Sequence, residues 1–140
     1  MPNVFVLDTS ALLAHFLVET GHSDVHEILA SPEKIALISA MSWLEFQVRL
    51  RTIVPDSLER DEVLAFYGEL LSAIEPVTAE IANRAMALRE SAAGRLPNAD
   101  ALIAATAVRR DAVLVHCDPH FDGIPSQDLR TFRLIRPLPN

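Results

Sequence analysis

Four acidic residues stand far apart in the chain, each beside an apolar run. Asp8 ends "VFVLD", Glu45 lies in "ISAMSWLEF", Asp100 opens "ADALIAATA", and Asp118 follows "VLVHC". The sharpest case is Asp100. From Ala101 to Val108 the residues are almost all Ala, Leu, Ile and Val, so a helix there is apolar on every side and belongs in a core. A carboxylate at the mouth of a buried helix costs desolvation energy unless it has a partner. If the four acids converge, a divalent cation held among them offsets that cost. Oxygen donors without a paired Cys or His set favour Mg2+ or Mn2+ over zinc. A cation held by carboxylates can activate water and polarise a phosphodiester.

Each acid also has a plainer role. Asp8 can cap the helix that follows it, and Asp100 can sit at a helix N-terminus as a dipole partner. Glu45 can pair with Arg49 one turn on, and Asp118 before Pro119 is an ordinary turn residue. The choice depends on whether the intervening elements bring the acids together.

Those elements alternate. "VFVLD" (4–8) is a β-rich run followed by the helical "SALLAHFL" (10–17) and a second helix, "HSDVHEILA" (22–30). A strand, "IALIS" (35–39), leads into a helix over 41–51, and an amphipathic helix spans 59–74. "IEPV" (74–77) suits a short edge strand, where its proline is tolerated. The next helix, 78–94, opens on Thr78 as its cap and stops at Gly94. The apolar helix, the strand "AVLVHC" (112–117) and a last strand, "FRLIR" (132–136), complete the chain. Such alternation predicts one α/β domain over 1–140: a central, mostly parallel sheet of about five strands with helices on both faces. In an open parallel sheet chemistry gathers outside the carboxyl ends of the strands. Asp8, Glu45, Asp100 and Asp118 all fall on that rim.

Composition narrows the field. The chain has 140 residues and a net charge of −7, which argues against a general nucleic-acid coat but not against an enzyme with a local acidic cluster. No run approaches the roughly 20 apolar residues of a membrane span, and "MPNVFVLDTS" lacks a basic leader. The single cysteine, Cys117, excludes an internal disulfide and suits a reducing, cytoplasmic setting.

The four segments resemble those of PIN-domain ribonucleases, and in length and motifs the chain is similar to VapC-type toxins of bacterial toxin–antitoxin pairs. "VLDTSALLA" resembles the family's opening strand and acid, with Thr9 and Ser10 in the usual hydroxyl positions. Glu45 matches the second acid and "ADALIAATA" the segment around the third. The fourth segment departs from the pattern, with His116 and His120 where a Thr and an Asp are common. The resemblance implies a three-layer PIN-like fold and a Mg2+- or Mn2+-dependent endoribonuclease. It also implies a homodimer held inactive by a small VapB-type antitoxin. Asp8, Asp100 and Asp118 are then metal ligands, and Glu45 is a ligand or a base acting through water. Thr9 and Ser10 support a ligand or a phosphate, or else cap the first helix. The antitoxin's C-terminal segment would lie in a groove formed by some of Leu12, Leu13, Phe16, Ile28 and Leu29.

Other residues carry less. "HCDPH" (116–120) matches no closed structural zinc site, because a strand alternates side-chain directions. His22 and His26, four apart, sit beside Ser23, Asp24 and Glu27 and read as a solvated face. Trp43 and Phe46 read as core or dimer contacts. Arg49, Arg51 and Arg95 are candidate RNA-phosphate contacts, whereas Arg109 and Arg110 suit a helix C-terminus. Arg130, Arg133 and Arg136 make the tail locally basic. Two alternatives remain open: an inactive PIN-like binding protein, and an aspartyl-phosphate phosphotransferase. The latter wants a second Asp where Ser10 stands and a late Lys, whereas the only Lys is Lys34.

Overall fold

The computed structural model describes residues 3–135. Five parallel strands form one sheet in the order β3-β2-β1-β4-β5: β1 Val4–Leu7, β2 Ile35–Ser39, β3 Ala73–Glu75, β4 Val113–His116 and β5 Thr131–Arg133. Six helices cover it: α1 Thr9–Phe16, α2 His22–Ala30, α3 Ala40–Ile53, α4 Ser57–Leu70, α5 Ala79–Ser91 and α6 Asn98–Arg109. A 3-10 helix, Pro119–Gly123, joins β4 to the chain leading into β5. The expected three-layer α/β arrangement is present, and every described pairing is parallel.

Alternation along the strands sorts the core into two halves. Leu7, Ile38 and Val115 face α1 to α4, packing with Leu12, Phe46, Leu50 and Tyr67. Val6, Leu37 and Leu114 face α5 and α6, packing with Ile81, Leu88, Ile103 and Phe121. The central strands are apolar on both faces because both faces are covered. In α6, Ala101, Ile103, Ala104, Ala105 and Ala107 are all buried, as an all-round apolar helix requires.

Where element ends differ from the sequence expectation, tertiary contacts decide. Thr78 does cap α5, its Oγ1 accepting from Ile81 N at 3.2 Å, but the helix stops at Ser91 rather than Gly94. The reason lies one element away: Ala93 N donates to Gly123 O at 2.8 Å, drawing the chain out of helical register. That approach needs glycine, since a Cβ on Gly123 would sit 2.2 Å from Ala93 O. Likewise α4 ends at Leu70, because Ser72 N is captured by Ala36 O on the sheet at 2.8 Å. The edge strand β3 then ends at Glu75, so Pro76 follows the strand rather than interrupting it. The final strand is shorter than 132–136, and Arg136 lies outside the described residues. No helix among the described residues is long and apolar enough to cross a membrane.

Candidate active site at the carboxyl rim of the sheet

Strand order reverses at β1, which lies between β2 and β4. Leu7 registers with both Ile38 and Val115, so these three strands end level with one another. A crevice opens where chain connections diverge from such a point. Asp8 enters it directly from β1, anchored by its N–H donating to Val115 O at 3.1 Å. Glu45 arrives on α3, which leaves the end of β2 and is capped by Ser39. Asp100 lies in the first turn of α6, the helix that returns the chain to the far end of β4. Asp118 follows β4 and caps the 3-10 helix, its Oδ1 accepting from His120 N at 2.9 Å.

The plain and chemical roles of Asp8 turn out to be compatible. Its carboxylate caps α1, accepting from Ala11 N at 2.8 Å, and also accepts from Ser10 Oγ at 2.7 and 2.8 Å. Ser10 Oγ in turn accepts from Cys117 N at 3.1 Å, tying the β1 and β4 ends together. Only 3 % of Asp8 is exposed. Burial pushes its pKa from 3.8 to about 7, against the opposing pull of the Ser10 and Ala11 hydrogen bonds, with Asp118 and Asp100 adding repulsion.

Asp100 is not a helix cap. Pro97 occupies the cap position of α6 and offers no side-chain bond, while Asp100 faces His120. Burial raises its pKa to about 6, with repulsion from Asp118 and Glu45 acting in the same direction and His120 against it. Glu45 makes no ion pair with Arg49. Instead it accepts from Thr9 Oγ1 at 2.6 Å, so Thr9 and Ser10 each orient one rim carboxylate rather than capping α1.

His120 is the rim residue that sequence reasoning passed over as a donor. Its Nδ1 lies 3.1 Å from Asp100 Oδ2 and 3.1 Å from Asp118 Oδ1. Ligand atoms of Asp100, Asp118 and His120 all fall within 4.8 Å of one another; Asp8 and Glu45 stand beside that set rather than within it. The signal was the Asp-Pro turn: Pro119 at the start of a 3-10 helix folds residue 120 back over Asp118. His116, the other departure, is buried, packs edge-on against Phe121 at 4.9 Å and accepts from Asp118 N through Nδ1 at 3.2 Å. It positions the Asp118 loop, so "HCDPH" forms no zinc site of its own.

Of the candidate arginines, Arg49 lines a groove of about 380 Å3 beside the rim, with Ser10, Leu13, Ala14, Leu17 and Cys117. Arg95 is exposed in the loop before α6. Arg109 pairs with Glu80 and Arg110 with Glu75. In the tail Arg130 pairs with Asp111 and Arg133 with Asp122. Of the early-helix residues expected at a groove, Leu12, Leu13, Ile28 and Leu29 are at most 9 % exposed and pack in the core, while Leu13 also lines the groove beside Arg49 with Ala14 and Leu17. Phe46 is buried, and Trp43 stacks on it with ring centroids 6.1 Å apart.

A model of the PIN domain matches residues 5–126, which is most of the chain. A parallel α/β sheet with an acidic rim at its topological switch point is the setting in which that match falls. The chain belongs to the PIN domain family. Among solved structures it is similar in fold to VapBC2 from Rickettsia felis, a complex bound to a promoter DNA fragment. That likeness has a TM-score of 0.75 at 21 % identity, covering 94 % of this chain and 99 % of the other. A toxin–antitoxin complex from Klebsiella pneumoniae gives a TM-score of 0.69 at 24 % identity, covering 94 % and 98 %. VapC20 from Mycobacterium tuberculosis, a toxin that cleaves the sarcin–ricin loop, gives 0.61 at 16 % identity, covering 79 % and 86 %. No curated protein matches the sequence at a comparable level of significance.

Proposed function

We propose that the protein is a metal-dependent endoribonuclease, the toxin of a toxin–antitoxin pair. One observation carries the reading: buried Asp8 and half-buried Asp100 meet Asp118 and Glu45 at one rim, where burial first and mutual repulsion second raise the Asp8 and Asp100 carboxyls to about 7 and about 6. Such a cluster is poorly matched to an apo resting state and well matched to a cation. The donor set fits Mg2+ or Mn2+, since hard carboxylate oxygens dominate and His120 is the one nitrogen among them.

Asp100 and Asp118, which share His120, would hold the ion together with Asp8 from the end of β1. When bound, it supplies Lewis acidity toward a phosphodiester and makes water more acidic. The protein's own groups do the rest. Glu45, fixed by Thr9, is placed to take a proton from an attacking water. Ser10 keeps the Asp8 carboxylate turned into the crevice while bracing the Cys117 backbone. Arg49, in the adjoining groove, and Arg95, at the mouth of α6, suit forked contacts with the flanking phosphates. The partner most consistent with the VapBC-like fold is a VapB-type antitoxin encoded beside the gene, acting on a homodimeric toxin in the cytoplasm.

The test is cleavage of a defined RNA by the purified chain with Mn2+, with Mg2+ and with chelator. Cleavage that needs the ion and is lost in Asp100→Asn supports the reading. A chain that binds RNA but never cuts it is a PIN-fold binding protein instead. Co-expression with the adjacent small open reading frame should suppress any growth arrest the chain causes.

A further inference from the structure

The second cluster of metal-ligating side chains lies at the other end of α1. His15 lies in the last turn of that helix, His22 opens α2, and His26 follows one turn later, so the α1–α2 corner folds three imidazoles together. One ring nitrogen from each lies within 4.8 Å of the others. We propose that His15, His22 and His26 form a binding site for a borderline transition-metal ion such as Zn2+, separate from the acidic rim. The inference is independent of the nuclease reading.

Three features of the geometry support a site rather than a chance grouping. First, His15 Nε2 and His26 Nδ1 point at each other across 3.1 Å. Two neighbouring nitrogens on a tetrahedral zinc, with Zn–N of ~2.0–2.1 Å, stand roughly 3.3 Å apart. The position taken by one shared hydrogen is therefore close to the spacing that an ion needs. Second, the outer nitrogens are already held. His15 Nδ1 lies 2.7 Å from the hydroxyl of Tyr67, which is buried and can accept or donate. In the tautomer with its hydrogen on Nδ1, received by the Tyr67 oxygen, the neutral His15 ring leaves Nε2 free to take an ion. His22 Nδ1 donates to the His15 carbonyl oxygen at 2.8 Å, which makes Nε2 the lone-pair nitrogen of that ring. Metal-bound histidines are typically oriented by such outer contacts.

Third, exposure is graded across the three rings. His15 is 7 % exposed, whereas His22 is half-buried and His26 exposed. The three rings now stack within 20° of parallel. Rotation of the two outer side chains fans them around a common point without moving either helix. Imidazole donors select Zn2+, Cu2+, Ni2+ or Co2+ and have little use for Mg2+, the reverse of the rim. Three protein ligands leave a fourth position facing solvent, on the side of His26. An ion there would clamp the α1–α2 corner, which is otherwise joined by a short loop through Gly21.

The experiment uses the full chain without a polyhistidine tag, stripped of metal and titrated with Co2+ or Zn2+ in the presence of excess Mg2+. The expected result is one equivalent bound against Mg2+, with Co2+ showing the visible absorption of a tetrahedral site with nitrogen donors. His22→Ala and His26→Ala should each weaken it at least tenfold. Both residues are at the surface, and circular dichroism checks that the fold is kept. Asp100→Asn/Asp118→Asn, which disables the rim, should leave it intact. Binding that survives the histidine substitutions, binding that vanishes with the carboxylates, or no Mg2+-resistant equivalent at all would each overturn the proposal.

Discussion

Helix α1 carries a buried ionisable group at each end, and the two ends behave as opposites. At its N-terminus Asp8 is surrounded by acids, and burial holds its proton to about pH 7. At its C-terminus His15 is surrounded by imidazoles, and burial with repulsion from His22 and His26 lowers its pKa to about 4. Both groups are therefore pushed toward neutrality, the acid by keeping a proton and the base by losing one. The same low-polarity surroundings give opposite pH signs, with carboxylate oxygens gathered at one end and imidazole nitrogens at the other. What separates the ends is how far the proteins' own hydrogen bonds can reach. Ser10 and Ala11 satisfy the Asp8 oxygens without cancelling their charge, whereas Tyr67 gives His15 a neutral partner.

The largest expected effect falls on catalysis at the acid end. Asp100→Asn should reduce RNA cleavage by on the order of 100-fold or more, since loss of even an outer contact to a metal ligand costs ~10–100-fold. The same variant should melt no lower than wild type without metal, because a neutral isostere relieves repulsion with Asp118 and Glu45. It should also gain less thermal stability from added Mn2+, as stabilisation by a ligand follows affinity. Unchanged cleavage would remove the rim from the mechanism.

Thr9→Val tests the support of that rim. It keeps the shape of the side chain but deletes the bond to Glu45, so cleavage should fall by roughly tenfold. Melting should change little, because Thr9 is only half-buried. A loss confined to KM would assign Thr9 to substrate binding instead.

Stability against pH separates the two ends directly. The Asp8 carboxyl has a native pKa near 7 and a reference value of 3.8, so between those values the folded chain binds more protons than the unfolded one. Stability of the metal-free protein therefore falls as pH rises through that window. For His15, with a native value near 4 and a reference of 6.5, the unfolded chain binds more protons, and stability falls as pH drops from about 6.5 toward 4. Asp8→Asn removes the first dependence and leaves the second. It should melt on the order of 3–5 °C higher than wild type near pH 7, roughly a 1 kcal/mol gain. Asn also keeps the cap of α1. An Asp8→Asn curve parallel to wild type across pH 4 to 7 would show that the acid end carries no strain.

The acid end was legible in sequence and the histidine end was not. Asp8, Glu45, Asp100 and Asp118 each adjoin an apolar run, and a parallel sheet sends the ends of such runs to one rim. His22 and His26 were legible only as helix neighbours among Ser23, Asp24 and Glu27. Their meeting with His15 depends on the turn between α1 and α2, where Gly21 takes φ +95° and packs against Leu134. No local pattern encodes that corner. The depth of the early-helix residues has a related cause: one face of the sheet carries four helices, whose packing takes up Leu12, Ile28 and Leu29. The early end of α5 depends likewise on Gly123, a residue about 30 positions further on.

The smallest expected effect concerns the arginines, where pairing rather than charge decides the outcome. The tail reads as basic, yet Arg133 is held by Asp122 at 2.5 Å and Arg130 by Asp111 at 2.7 Å. Each pair is close to electrically neutral at a distance. Arg49 and Arg95 make no ion pair among the described residues, and Arg49 borders the crevice. A side chain that contacts one RNA phosphate contributes just under one unit to the slope of log affinity against log salt, roughly 0.7 for a single strand. Arg49→Ala in a cleavage-dead Asp100→Asn background should therefore lower that slope by about this amount, with affinity falling across all RNA sequences alike. Arg133→Ala should leave the slope unchanged within error and shift the melting point little, as an exposed ion pair contributes ~0–1 kcal/mol. If Arg133→Ala lowered the slope and Arg49→Ala did not, RNA would approach along β5 rather than across the groove beside Ser10.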